Sequence, residues 1–382
     1  MDRSARIVEG RFPQWNHEYW PWYLIYLPVL PLLVWHAIRA RSIAFFTNVD
    51  PGIDMGGFFG ERKSEIYALL PKGSYPTTLL VETGRFWNDI EQEIADTGFR
   101  FPLIVKPDVG ERGQGVTRVR DRAALQLVLV NAKEALLIQA LIPGQHEFGV
   151  MFAKDPETEE VALLSITGKR FLAVEGDGIA SVEALLGRSY RGARQIERLR
   201  VYKADVLAVV PANGERVVVE PIGNHCRGTT FLDASALRTT ALERSISDLI
   251  RATNGVYYGR VDVRADSIEA FQAGSYSVVE LNGVSSEPGH IYDPAMSIFE
   301  CWSELLRHTR YIPRISHQLR SRGHQPVPLK VLLERCEEHF DPTPFWRWVI
   351  RTIAGPRRAQ GLQEHRQLSG TSFGADPVQG AR

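Results

Sequence analysis

The chain is poor in cysteine: Cys226, Cys301 and Cys336 are the only three in 382 residues, and none forms a C-x-x-C pair. This excludes a disulfide framework and a structural zinc site, and it fits a reducing compartment, with the cytoplasm as the expected location. Net charge is absent as well, since 45 basic and 45 acidic side chains cancel. No global field therefore draws the chain to nucleic acid or to a strongly acidic partner. No repeat occurs at solenoid or propeller periods. No glycine loop closes with G-K-S or G-K-T, and none fits the dinucleotide pattern G-x-G-x-x-G.

Long uncharged runs are missing too, with one exception. Residues 20–38, WPWYLIYLPVLPLLVWHAI, hold no Asp, Glu, Lys or Arg, and Arg39 and Arg41 follow. The run is about long enough to span a bilayer. Its leading aromatics and trailing arginines suit a membrane interface. No small-residue cleavage site follows, so it is not read as a signal peptide. Pro21, Pro28 and Pro31 would break a regular helix. Two readings stand: the segment packs on the protein itself, or it contacts a membrane, with spanning the weaker form of the second.

At 44% apolar and 24% charged, the rest has the composition of a folded chain with material for two or three lobes. Short β-rich runs alternate with helical stretches, which predicts α/β or α+β packing. Strands are expected at 103–106, 136–141, 148–152, 162–166, 204–210, 217–222, 258–264 and 276–281. Helices are expected at 61–70, 86–97, 122–132, 237–253 and 297–310. Residues 344–353, PFWRWVIRTI, suit a short amphipathic helix that docks on the body or on a membrane surface. Residues 354–382 have little to bury and are expected to be disordered.

Three stretches carry chemistry. In LIVKPDVGERGQGV, Lys106 ends an apolar strand and a loop with Gly110, Gly113 and Gly115 follows. Glycines admit backbone N–H groups close to an anion and the ammonium opposes its charge, which suits polyphosphate, although such a loop is also an ordinary hairpin. In LIQALIPGQHEFGVMF, a strand edge could meet an adenine ring and Glu147 could accept from ribose hydroxyls; a plain hairpin with a solvated glutamate is the competing reading. The third is strongest. In GRVDVR and VVELNG, Asp262, Glu280 and Asn282 project from alternating, neighbouring strands, with Glu280 and Asn282 on one face. Two carboxylates and an amide oxygen are hard ligands suited to magnesium held with nucleotide phosphates.

In order as well as content, these elements resemble the ATP-grasp superfamily, in particular its carboxylate–amine ligases such as D-alanine–D-alanine ligase and the ATP-grasp part of cyanophycin synthetase. The likeness runs from Lys63 in ERKSEIYALLP through PTTLLV, VKPDVGERGQGV, IQALIPGQHEF, KRFLAVEGDGIASVEALL and GNHCRGTTFLD to GRVDVR and VELNGVSSEPGHIYDP, about residues 63–310. It implies an α+β ATP-grasp fold: two α/β lobes with antiparallel sheets clasping ATP, plus the hydrophobic N-terminal segment. The implied divisions are 1–45 for that segment, 46–102 for a substrate-side region, 103–315 for the core, 316–353 for a helical extension and 354–382 for the tail.

The resemblance also implies roles. Lys63 and Lys106 contact ATP phosphates, the glycine loop closes over them, Gln139, Ala140, Leu141 and Ile142 read adenine, and Glu147 holds ribose. Asp262, Glu280 and Asn282 bind two magnesium ions, with manganese as a substitute. Arg260 stabilises an acyl phosphate and the tetrahedral state after it. Lys169, Arg170 and the Gly176–Asp177–Gly178 turn match the GDG region of cyanophycin-type ligases, and Asn224 and Arg227 lie near phosphate and substrate. His225 and His290 are read as structural. The implied activity is an ATP- and Mg-dependent ligase that forms an amide from a carboxylate and an amine, an amino acid or peptide. The alternatives are a phosphotransferase that stops after phosphorylation and a non-catalytic, membrane-associated nucleotide-binding protein. The short N-terminal region departs from D-alanine–D-alanine ligases and makes D-alanine a doubtful substrate; oligomeric state is open.

Overall fold

The computed structural model describes residues 16–110, 113–340 and 352. By internal contacts the chain divides into two units, 1–327 and 328–382. In the second, the helix Leu329–Phe340 is described. The expectations for 344–353 and 354–382 lie, Thr352 apart, outside the described residues.

The first unit is α+β and its sheets are antiparallel. Its strands are β1 (Thr78–Val81), β2 (Leu103–Pro107), β3 (Thr117–Val119), β4 (Leu136–Ala140), β5 (His146–Lys154), β6 (Val161–Arg170), β7 (Leu172–Glu175), β8 (Arg216–Glu220), β9 (Thr230–Asp233), β10 (Tyr258–Ala265) and β11 (Ser277–Asn282). They form a four-stranded sheet β1-β4-β2-β3, a five-stranded sheet β11-β10-β5-β6-β9 and a pair β7-β8. The expected core start at 103 falls inside the first sheet, because β1 precedes it and pairs with β4. The division at 315/316 falls inside the helix Tyr311–Ser321, whose Ile315 and Leu319 pack on Val49, Met151 and Tyr258.

Alternation sorts the side chains of the large sheet. Phe148, Val150, Phe152, Val261 and Val263 point to one side and pack with Leu242, Ile246, Leu249 and Ile250 of the helix Thr240–Ala252. Those four recur at the spacing of one helical face. Thr239 caps that helix by accepting from the Leu242 N–H at 3.1 Å. In the smaller sheet, Leu103, Val105, Leu136 and Ile138 face a second core against Ile90 and Leu125. The opposite face of the large sheet is divided: Met151 and Tyr258 pack on Ile315 and Leu319, and the rest carries polar groups.

One expected strand is a helix. Residues 204–210 begin with the single turn Ala204–Leu207, which buries Leu207 in the core of the β7-β8 subdomain. The β-branched residues Val206, Val209 and Val210 suggested a strand, but Val209 and Val210 are exposed, and β8 pairs with β7 instead. Sheet neighbours, not propensity, decide where a strand forms.

The uncharged N-terminal run forms two helices, Trp22–Ile25 and Leu30–Ala40, with Pro31 in the first turn of the second and Arg41 closing it in the left-handed region at φ 50°. No helix among the described residues is long and apolar enough to cross a membrane. After it, residues 50–60 fold back on the large sheet through Asp50. This carboxylate is fully buried and accepts from the backbone N–H groups of Tyr257 and Tyr258 at 2.7 and 2.9 Å. Burial pushes its pKa up to about 7, against those two hydrogen bonds.

A raised folded pKa means that the native state binds the extra proton, so Asp50 contributes most at low pH and that contribution is lost as pH climbs through about 7. Asp50→Asn keeps the acceptor and removes the charge. Between about pH 5 and about pH 8 the melting temperature of the wild type should fall relative to that of the variant. Parallel melting curves across that range would show that Asp50 does not titrate there.

Candidate active site

The polar face of the large sheet carries a connected row of charges. The register places Arg264 opposite Glu147 and Glu147 opposite Lys169, while Asp262 lies opposite Gly149 on one side and Glu280 on the other. Lys169 Nζ reaches Glu147 Oε1 and Asp262 Oδ2, both at 2.9 Å. Arg260 Nε donates to Asp262 Oδ1 at 2.9 Å and Arg264 Nη2 to Glu147 Oε2 at 2.6 Å. Burial opposes ionisation of Asp262 and Glu147, but Arg260 and Lys169 for the first, and Lys169 and Arg264 for the second, hold both below the usual carboxylate range. Burial likewise works against the Lys169 ammonium, and Asp262 and Glu147 outweigh it and raise its pKa. Gly149 makes room for this row: a Cβ there would lie 2.9 Å from Asp262 Oδ1 and 3.0 Å from Arg260 Cδ.

Lys106 comes from the smaller sheet. It is buried, and its Nζ donates to Tyr67 Oη at 2.7 Å and Gln139 Oε1 at 3.1 Å. Tyr67 in turn donates to the Val279 carbonyl at 2.6 Å, so one tyrosine links Lys106 to the strand residue before Glu280. Burial lowers the Lys106 pKa to about 8, with Glu280 pulling the other way. Lys63 is lowered by burial and by Lys106, while Glu280 raises it. Glu280 also acts on Arg260. Asp262, Glu280 and Lys106 therefore border one region, in which five cations (Lys63, Lys106, Lys169, Arg260, Arg264) face Asp262, Glu147 and Glu280, while Glu61 and Asp108 act on Lys63 and Glu287 on Arg260.

Asp108 escaped the sequence reading. It is buried, and its carboxylate accepts from the Ser64 N–H at 2.8 Å, the Ser64 hydroxyl at 2.9 Å and Arg62 Nε at 2.7 Å. Its carbonyl accepts from the Lys63 N–H at 2.9 Å. It thereby caps the helix Lys63–Leu69 from outside and sets Lys63 beside the glycine loop, where Lys63 Nζ donates to the Gly110 carbonyl at 2.5 Å. The signal was the sequence Lys106–Pro107–Asp108 itself, but nothing in it indicates a partner 44 residues earlier. Gly113 and Gly115 both sit at φ 70°, and a Cβ on Gly115 would strike Pro107 at 2.6 Å.

The donor set fits a hard divalent cation. Glu280 is half-buried and has no hydrogen-bond partner among the described residues. Asp262 Oδ1 accepts from Arg260 Nε and Oδ2 from Lys169 Nζ and, at 3.4 Å, from Arg260 Nη2, so Oδ1 is the oxygen that keeps a free lone pair. Asn282 shares the face of Glu280, and its buried Nδ2 has no partner, so nothing fixes the amide and its oxygen is free to turn toward Glu280. Three or more His, Cys, Asp and Glu placed to hold a metal do not occur among the described residues; this site is two carboxylates and an amide.

The other expected residues divide. Gln139 lies in the middle of the small sheet, and its side chain bridges Lys106 and Thr78 Oγ1 instead of facing outward. The Ala140 N–H is taken by the Thr77 carbonyl at 2.9 Å, which leaves Leu141 and Ile142, half-buried beyond the strand end, as the open backbone. Both Glu147 oxygens are engaged by cations, so what the structure displays is an organiser of Lys169 and Arg264. The Asn224 side chain accepts from the Cys226 N–H at 2.8 Å and caps the turn His225–Arg227. Arg227 donates to the Gly113 carbonyl at 2.6 Å, tying the glycine loop to the β7-β8 subdomain. Asp177 closes its own turn through the Ile179 and Ala180 N–H groups.

The N-terminal segment forms part of the surroundings. The Tyr26 hydroxyl donates to a Glu287 oxygen, Tyr292 to the other at 3.1 Å, and Arg260 Nη1 to the Glu287 carbonyl at 3.1 Å. His17 contacts the Ile291 carbonyl at 2.7 Å, and Glu18 pairs with Arg191 and, at 2.8 Å, with His225. His225 also stacks on Tyr292, with ring centroids 5.1 Å apart. His225 pairs with the buried Glu18, and the His290 ring contacts the half-buried Glu304 at 3.3 Å.

No family model matches the chain, and no curated protein matches it. Among solved structures it is similar to a D-alanine–D-alanine ligase from Bacillus anthracis, with 15% identity over 69% of this chain and 71% of that one at a TM-score of 0.40. It is similar to the VanG D-Ala:D-Ser ligase from Enterococcus faecalis, with 13% identity over 67% and 64% at 0.39. It is also similar to a bifunctional glutathione synthetase from Pasteurella multocida, with 16% identity over 65% of this chain at 0.38, and it spans 35% of that protein's length.

Proposed function

We propose that the chain is an ATP-grasp ligase that activates a carboxylate with ATP and joins it to an amine, releasing ADP and phosphate. The observation that carries this reading is the meeting of Lys106 from the smaller sheet and Lys63 from the helix Lys63–Leu69 with Arg260 and Asp262 of the larger sheet around the half-buried Glu280 carboxylate. Fixed cations beside hard oxygen ligands suit a triphosphate.

In this reading Asp262, Glu280 and Asn282 hold magnesium, which when bound neutralises charge on the phosphates. Lys106 and Lys63 fix the phosphates, and the glycine loop, pinned by Arg227, covers them. The substrate carboxylate attacks the γ-phosphorus and ADP leaves with the bond pair. The amine nitrogen then adds to the acyl carbon, phosphate departs from the tetrahedral state, and the nitrogen loses a proton. Arg260 opposes the negative charge that builds on the acyl oxygen; its other bonds, to Asp262 and the Glu287 carbonyl, hold it in place before that charge appears. Leu141 and Ile142 offer backbone to the adenine. An amino acid, a small peptide or a membrane-linked carboxylate is the substrate class, bordered by Glu287 and Tyr292.

Glu280→Gln should lower ADP-forming turnover by about 10²-fold or more with the melting temperature nearly unchanged, because Glu280 serves no packing contact. Activity within a few-fold of wild type would remove the metal assignment. An ADP-release screen across paired carboxylates and amines, read by mass spectrometry, should show an amide; a stable phosphorylated compound would favour the phosphotransferase. A third expectation concerns pH. Lys106, at about 8, loses its charge as pH rises past that value, so kcat/KM for ATP should fall there. Lys106→Met should lower kcat/KM at neutral pH and abolish that limb; persistence of the limb would assign it to another group.

A further inference from the structure

The N-terminal helices are amphipathic in the wrong sense for a surface that meets only water. In the helix Leu30–Ala40 the side chains turned outward are Leu30, Val34, Trp35 and Ile38, with Val34 58% and Ile38 70% exposed. They recur at helical spacing, where a water-facing helix would carry polar groups. The preceding turn adds Trp22, 66% exposed. The opposite side is anchored: Ile25 and Val29 are buried against Ile291, Cys301 and Leu305, with Leu33 packed beside them. Arg320 Nη1 holds the helix end by donating to the Ala40 carbonyl at 2.6 Å. The apolar face is thus held rigidly outward.

Charge selects the occupant. No aspartate or glutamate occurs between Tyr19 and Val49, whereas Arg39 and Arg41 follow the apolar face directly and Arg320 lies at its end. The Arg39 guanidinium sits 4.7 Å from the centre of the Trp35 ring, an aromatic and a cation at the same level. Tryptophans at an apolar face whose own segment carries arginines and no acidic side chain match the boundary of an anionic bilayer, with rings at the headgroup level and cations among the phosphates. A second copy of the face would bring those arginines against each other. We infer that this face is a monotopic docking site for an anionic lipid surface, lying in the interface without crossing it. Tyr26 of the same segment reaches Glu287, so a docked molecule holds its active-site region next to the lipid.

The test is flotation of the full chain with vesicles, which separates binding from aggregation and needs no nucleotide. The wild type should float with phosphatidylglycerol–phosphatidylethanolamine vesicles and far less with phosphatidylcholine alone. Arg39→Ala and Arg41→Ala should each weaken binding to anionic vesicles about fivefold. Trp35→Ser with Ile38→Ser should weaken it on the order of tenfold or more. Melting temperatures should stay within a few degrees, since these side chains are exposed. Brominated lipids should quench tryptophan fluorescence of the wild type, and more weakly that of Trp35→Ser. Failure of the wild type to float with anionic vesicles would overturn the inference, as would undiminished binding by the apolar double variant. A dimer in light scattering that Trp35→Ser with Ile38→Ser turns to monomer, without vesicle binding by the wild type, would assign the face to a second copy.

Discussion

Asp262 suspended between Arg260 and Lys169 is the interaction on which the candidate site depends. A carboxylate at this depth is unfavourable alone, and Arg260, two residues back on the same strand, together with Lys169 of β6 holds its pKa below the usual carboxylate range. Each cation is itself committed elsewhere, Arg260 to the Glu287 carbonyl and Lys169 to Glu147, and Glu147 is shared with Arg264. Each carboxylate of the row holds two cations, and Lys169 is shared by both carboxylates, which cross-links the row. The row is therefore stiff, and its outer neighbour Glu280 is presented on a fixed frame. A pre-set frame serves chemistry in which charge develops on an oxygen, because no reorganisation is needed when it does.

The second lobe meets this frame through few groups. Tyr67 receives from Lys106 and donates to Val279, so the smaller sheet reports to β11 through one phenol. Asp108 does the same for the helix Lys63–Leu69, whose first residue touches the glycine loop. Both links are single hydrogen bonds or short clusters, whereas the interior of each sheet is bonded throughout. The two lobes also share apolar packing, since Ile66, Leu70 and Leu137 lie in one core cluster with Phe148, Val150 and Val261, so the polar links at the site rest on a common hydrophobic base.

Local patterning made most of the strands legible. The alternation in GRVDVR and VVELNG put Asp262, Glu280 and Asn282 on neighbouring strands, with Glu280 and Asn282 on one face, and the register sets Asp262 opposite Glu280 and Arg260 opposite Asn282. Residues 204–210 misled because their valines face solvent and have no neighbouring strand. Asp108 was invisible for a different reason: its partner Ser64 is distant in sequence, and a cap supplied from another segment leaves no local motif. The ion partners of Glu147 were likewise hidden, since cross-strand neighbours depend on a register that sequence alone does not set. The Tyr26–Glu287 contact spans 261 positions and no pattern announces it.

The N-terminal run shows why composition and arrangement answer different questions. Its lack of charge left self-packing and membrane contact both open; the fold gives packing to one side of these helices and leaves the other side exposed. Ile25 and Val29 are consumed by packing, and Leu30, Val34, Trp35 and Ile38 are not. Proline spacing enforces the split, because Pro28 and Pro31 end one helix and start the next before either reaches bilayer length. A segment broken in this way can lie in an interface and cannot cross it. Since the packed side also carries Tyr26 to Glu287, the position of the outward face and that of the substrate-side wall are fixed by the same few residues. A carboxylate or amine borne on a lipid would then reach the cleft from the side on which the protein is held.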